Sequence, residues 1–151
     1  MATIPWSTPP AVADASAPSA QAPAGPPVVM ASRFALTSRR RHTVAMLRHA
    51  LRVRRALLAT RGALGVSLVA HPLRGEYWTL SAWSDRGSLD TFVRAPEHLA
   101  AMRALAPAMA DSTFVFWAHD AGAEPPTWAD ARARVAAERS ARQPAAPPST
   151  T

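Results

Sequence analysis

Few side chains in this sequence are suited to chemistry, and their types narrow the possibilities at once. The 151 residues include five histidines, no cysteine, and 17 basic residues that are all arginine. Without cysteine there are no disulfides, thiolate metal sites or thiol nucleophiles. Without lysine there is no Schiff-base amine and no phosphate-loop lysine. The most suggestive histidine is His98, which shares a helical stripe with Met102, Leu105 and Met109. An imidazole there can act as a general base, a substrate anchor or a haem ligand. It can equally be a core histidine bonded to a carbonyl or an indole. Arg54 differs from the other arginines. On a helical wheel it falls in the apolar arc between Leu47 and Leu58, while Arg41, Arg48, Arg52 and Arg55 gather on the opposite side. A guanidinium so placed snorkels to water or pairs with a buried acceptor, such as a substrate carboxylate or phenolate.

Other constellations point away from specific chemistries. His42 and His49 lie seven apart on the outer side of one helix with no carboxylate beside them, and His71 and His119 each fall near a strand end. With no His-x-x-x-His or Glu-x-x-His pair, a structural zinc site is not expected; haem, which needs a single histidine, stays open. There is no Gly-x-Ser-x-Gly elbow and no Gly-rich strand-to-helix turn, so neither a serine triad nor bound NAD or FAD is expected. Gly65-Val66-Ser67 lies inside a strand and marks close sheet packing. The net charge of +7 and the run Arg39-Arg40-Arg41, continued by Arg48, Arg52 and Arg55, raise nucleic acid as a partner. No recognition helix, zinc finger or base-stacking pattern accompanies it, so the default is a solvated arginine face.

The elements that must position these residues follow from composition and periodicity. Residues 1–27 are mostly Ala, Pro, Ser and Gly and are expected to be a disordered leader, with Ile4-Pro5-Trp6 its one apolar spot and a candidate to dock back. Residues 143–151 repeat that composition. The leader has no basic n-region before an apolar core, and no stretch is apolar enough to span a membrane; a cytoplasmic protein is expected. Residues 28–142 carry the fold. Val28 to Leu36 reads as a strand. Thr43 to Ala59 reads as a helix with stripes Met46, Ala50, Val53, Leu57 and Val44, Leu47, Leu51, Leu58. Leu64 to His71 and Glu76 to Trp83 form a hairpin around Pro72-Leu73-Arg74-Gly75. Ser84-Asp85 caps a short helix holding Leu89, Phe92 and Val93, and Pro96 opens the helix of His98, which ends or kinks near Ala106 ahead of Pro107. Thr113 to Ala118 is a fourth strand, and Thr127 with Asp130 caps a last helix from Trp128 to about Arg142.

The order β-α-β-β-α-β plus a helix predicts an α+β, ferredoxin-like protomer: one four-stranded antiparallel sheet with helices on one face. The other face, assigned Tyr77, Trp83, Val115 and Trp117, is too apolar to be left wet. A partner's sheet would cover it, which predicts a homodimer. Trp78 and Trp83 fall on opposite faces because their spacing is odd.

Several of these residues carry a family likeness. Gly62-Ala63-Leu64-Gly65-Val66-Ser67-Leu68 leads into Tyr77-Trp78-Thr79-Leu80-Ser81-Ala82-Trp83, then Leu89-Asp90-Thr91-Phe92 and Pro96-Glu97-His98. This pattern resembles the dimeric α/β-barrel superfamily, in particular its antibiotic-biosynthesis-monooxygenase-like branch, over roughly residues 28–119. The resemblance implies two facing sheets and, in each protomer, a pocket between helices and sheet. Some relatives oxidise polycyclic aromatics without metal or flavin, and others degrade haem. It points to Trp83 as a pocket wall, in tension with its use as a dimer-face residue. The expected pocket is lined by Trp83, Phe92, His98 and Met102, with Phe114 or Phe116 behind them and Arg54 as a further substrate-binding candidate. The expected reaction is cofactor-independent oxygenation of an electron-rich aromatic, with His98 as the base. A non-catalytic dimer that binds a small apolar ligand or a protein is the second reading, and a nucleic-acid-associated protein the third.

Overall fold

The computed structural model describes residues 1–10, 25–37, 42–120 and 123–143. Five strands form one antiparallel sheet in the order β1 (Ala2–Ser7), β3 (Ala63–His71), β4 (Glu76–Trp83), β2 (Val28–Leu36), β5 (Met109–Ala118). The last four have the ferredoxin-like arrangement that the sequence predicts. Helices α1 (Thr43–Ala59), α2 (Arg86–Val93) and α3 (Pro96–Leu105) lie on one face, and α4 (Trp128–Arg142) on the other.

Local chemistry sets the helix boundaries. Asp85 caps α2, its Oδ1 accepting the Ser88 N–H at 2.7 Å. Pro96 starts α3, and Pro107 is absorbed in a single 3-10 turn, Ala106–Ala108, just past its end. Thr127 Oγ1 accepts the Asp130 N–H at 3.2 Å and donates to its carboxylate at 2.7 Å, opening α4. Gly75 closes the β3–β4 hairpin at φ +65°, where any Cβ would be strained.

Three expectations are corrected. First, Ala2–Ser7 is not loose: it is an edge strand paired with β3 (Ile4 opposite Leu68, Ser7 opposite Val66), with a register shift between Ile4 and Ser7. Pro5 falls in that irregular stretch of an edge strand, where a missing N–H is tolerated. The shift turns Trp6 to the outer face, into the space left by Gly65. The rest of the leader (11–24), the tail (144–151) and Arg39-Arg40-Arg41 lie outside the described residues.

Second, the sheet faces differ from their assignment. Tyr77 and Trp83 point to the helices: Trp83 packs with Leu57, Leu89 and Phe92, and Tyr77 with Met46 and Leu105. Trp78 points the other way, with Val29, Ala31, Leu80, Val115 and Trp117. That outer face is covered within the chain. Ala131 and Val135 of α4 are buried against it, and Trp6 and Trp128 pack alongside. Trp128 Nε1 donates to Ser67 Oγ at 3.1 Å, and Ser67 Oγ donates to the Ile4 carbonyl at 2.8 Å, so β1 and α4 are tied to the same serine of β3. Arg139 pairs with Asp111, which also accepts from Arg33 at 3.0 Å. The chain thus covers much of this face itself, and Trp78, Val115 and Trp117 stay half-buried.

Third, the second stripe of α1 is only partly buried. Val44 and Leu51 are exposed, while Met46 and Leu57 are buried. Arg48, Arg52 and Arg55 are exposed, as the helical wheel predicts.

Candidate functional site

Strand β2 supplies the floor of a cavity. Met30, Ser32 and Phe34 alternate onto its helix side, and register places Thr79 beside Ser32 on β4, with Phe114 and Phe116 beside Ser32 and Met30 on β5. Helix α1 roofs it with Met46, His49, Ala50, Val53 and Leu57. Helix α3 adds His98, Leu99, Ala101, Met102 and Leu105, and the end of α2 contributes Phe92 and Val93. The cavity volume is about 330 Å³, at the small end of the roughly 300–1,000 Å³ of ligand pockets. Its walls are nearly all hydrocarbon, ring or thioether. Ser32, Thr79, His49 and His98 are the only polar side chains among the residues lining it.

His98 is the chemically poised group. Its Nδ1 lies 3.0 Å from the Val93 carbonyl oxygen. A carbonyl only accepts, so Nδ1 carries the proton and Nε2 keeps a lone pair in the neutral ring. Burial pushes the imidazole below its ordinary value, and the bond to Val93 offsets part of that shift. The ring is thus held neutral near pH 7 with one basic nitrogen free of protein partners among the described residues. The carbonyl contact expected of a core histidine and the placement expected of a functional one are both present.

Most of the expected lining is brought together. Phe92, His98, Met102, Phe114 and Phe116 line one cavity. Phe92 and His98 meet with ring centres 5.0 Å apart, Phe114 makes an edge contact with Phe34 at 5.5 Å, and Phe116 stands at the rim under the Arg86 guanidinium. Two expected residues stand elsewhere. Trp83 is fully buried one layer behind, touching Phe92 at 5.1 Å between ring centres, and its N–H is spent on Ser81 Oγ at 3.0 Å. It backs the wall and offers nothing to a ligand. Arg54 reaches Ser7 Oγ at 2.8 Å at the end of β1, away from the cavity, and its Nε is buried without a hydrogen-bond partner among the described residues.

His49 was missed. The sequence places it outside with His42, yet it is half-buried at the seam of α1 and α3. Its spacing of three from Met46 and four from Val53 is the signal that puts it on the inner arc. Among the described residues no cluster of three or more His, Asp or Glu is placed to hold a metal ion, and no helix is long and apolar enough to cross a membrane.

No protein-family model matches the chain, and no curated protein matches it in sequence. Solved structures do match in fold. A protein from Nitrosomonas europaea, provisionally named an antibiotic biosynthesis monooxygenase, superposes with TM-score 0.58 at 12% identity, over 66% of this chain and 96% of its own. The cofactor-independent oxygenase SnoaB of Streptomyces nogalater superposes with TM-score 0.54 at 16% identity, over 66% of this chain and 100% of its own. A protein from Mycobacterium tuberculosis does so with TM-score 0.55 at 19% identity, over 65% and 99%. The chain thus has the fold of antibiotic-biosynthesis-monooxygenase-like proteins.

Proposed function

We propose that this protein binds a flat aromatic molecule in the cavity between α1, α3 and the sheet, and oxygenates it without a cofactor, using His98 as the base. The observation that carries the reading is the state of His98. It is an imidazole in an apolar wall, with Nδ1–H committed to Val93 and Nε2 unclaimed among the described residues; burial favours its neutral form. The fold shared with SnoaB, itself a cofactor-independent oxygenase, agrees with it.

The chemistry asks little of the protein. His98 Nε2 accepts the proton of a phenol, and the electron-rich ring that results gives up electrons to O2 and forms a C–O bond. The hydroperoxide then loses water, so one oxygen atom stays as a carbonyl and the other leaves with two substrate hydrogens. The substrate is the only reductant. Phe92 and Met102 offer flat and polarisable contacts to the ring, and the dry walls protect the carbanion from protonation by water.

The homodimer remains part of the proposal, with one change from the sequence reading. Because α4 and Trp6 cover the outer face, a second copy would pack over α4 or take its place.

Oxygen uptake with an anthrone-type substrate tests the reaction. The product should gain one oxygen and lose two hydrogens, and His98→Gln should slow turnover by about 10²–10⁴-fold. Unchanged turnover in His98→Gln removes the base. Binding without oxygen uptake favours a non-catalytic ligand-binding protein.

A further inference from the structure

The apolar cavity adjoins a second space, a crevice of about 500 Å³ between α1 and α3. His49 and Ala101 line both. The crevice is bordered by charge where the cavity has none: Arg52 and Arg55 from α1, and Glu97 from the first turn of α3. We infer that the crevice receives a carboxylate carried on a short arm by the molecule whose aromatic body fills the cavity. This rests on the cavity reading above and adds a substrate class to it.

Residues three apart on a helix project on one side, so the guanidinium groups of Arg52 and Arg55 can close on one anion. Both arginines are exposed, and among the described residues neither is ion-paired. Among the described residues that line the cavity, the only polar side chains are two hydroxyls and two imidazoles. None carries a fixed charge, so an anionic substituent would be stranded there and has to end outside. Two guanidinium groups against the Glu97 carboxylate leave one net positive charge, which matches a carboxylate better than a phosphate dianion. His49 stands where arm and body would join.

Calorimetric titration with 4-(1-naphthyl)butanoate and with its neutral primary amide tests this. At low salt the acid should bind the native protein about fivefold tighter than the amide. That preference should vanish in the Arg52→Gln/Arg55→Gln variant, with amide binding unchanged. Glu97→Gln should strengthen acid binding alone, a gain that misfolding cannot produce. Equal binding of acid and amide by the native protein overturns the inference and leaves the cavity reading standing, as does a preference that survives loss of both arginines. If the amide does not bind at all, the cavity reading falls and the inference with it.

Discussion

Gly65→Ala should destabilise the native chain yet be harmless once Trp6 is gone. Gly65 lies in β3, just past a register irregularity between Ala63 and Gly65, and its φ is not positive, so alanine meets no left-handed strain there. What it meets is Trp6: a Cβ at Gly65 would stand 2.4 Å from two carbons of the indole. Carbon atoms in contact sit about 3.5–4.0 Å apart, so something must move by more than about 1 Å. Overpacking of this kind costs about 1–3 kcal/mol. With Trp6→Ala the slot is empty, and Gly→Ala within a strand should then gain about 0.5–1 kcal/mol. The two backgrounds should therefore differ by about 1.5–4 kcal/mol, with a change of sign. Urea unfolding of the four proteins of this double-mutant cycle, followed by far-UV circular dichroism, measures it. If Gly65→Ala has the same effect with and without Trp6, then β1 does not hold Trp6 against β3. The N-terminal residues would then be loose, as composition alone suggests.

Further predictions follow from the same packing. The lowered value of His98 means that, as pH falls, the unfolded chain takes up the proton first. The stability contributed by the neutral ring is thus present above about pH 6.5 and declines below it, and His98→Gln should flatten the acid side of a stability–pH curve. In the proposed reaction the acid limb of kcat/KM should lie below pH 6.5; a limb at higher pH would assign the base elsewhere. Trp83→Phe should cost about 1–3 kcal/mol through lost packing and the lost bond to Ser81, with little change in the affinity of a cavity ligand, measured by calorimetry. Val135→Asp should cost about 3 kcal/mol or more, because it buries an unpaired charge between α4 and the sheet. Unchanged thermal unfolding would mean that α4 does not lie there.

The succession of elements from Val28 to Arg142 is legible in the sequence, because the signals that end each one are local. Asp85 and Thr127 cap helices with their own next turn, Pro96 presets a first helical φ, and Pro107 stops the chain from continuing one. Part of the site was legible for the same reason. His98 and Met102 share a helical face, and Phe114 and Phe116 a strand face, wherever those faces point.

Which way those faces point depends on packing between elements far apart in the chain. Alternation says that Trp78 and Trp83 look opposite ways, but not which of them meets the helices. That choice rests on Leu57, Leu89 and Phe92 closing around Trp83 from other elements. His49 became a lining residue because α3 packs against α1, and Arg54 was turned from the cavity by Ser7, 47 residues away in sequence. The strand Ala2–Ser7 has too little apolar surface to persist alone. It exists because β3 offers an unpaired edge, Gly65 leaves room for an indole, and Ser67 has a hydroxyl to spare for Ile4. Apart from the local spacing that sets His49 on the inner arc of α1, each of these rests on a contact between residues distant along the chain.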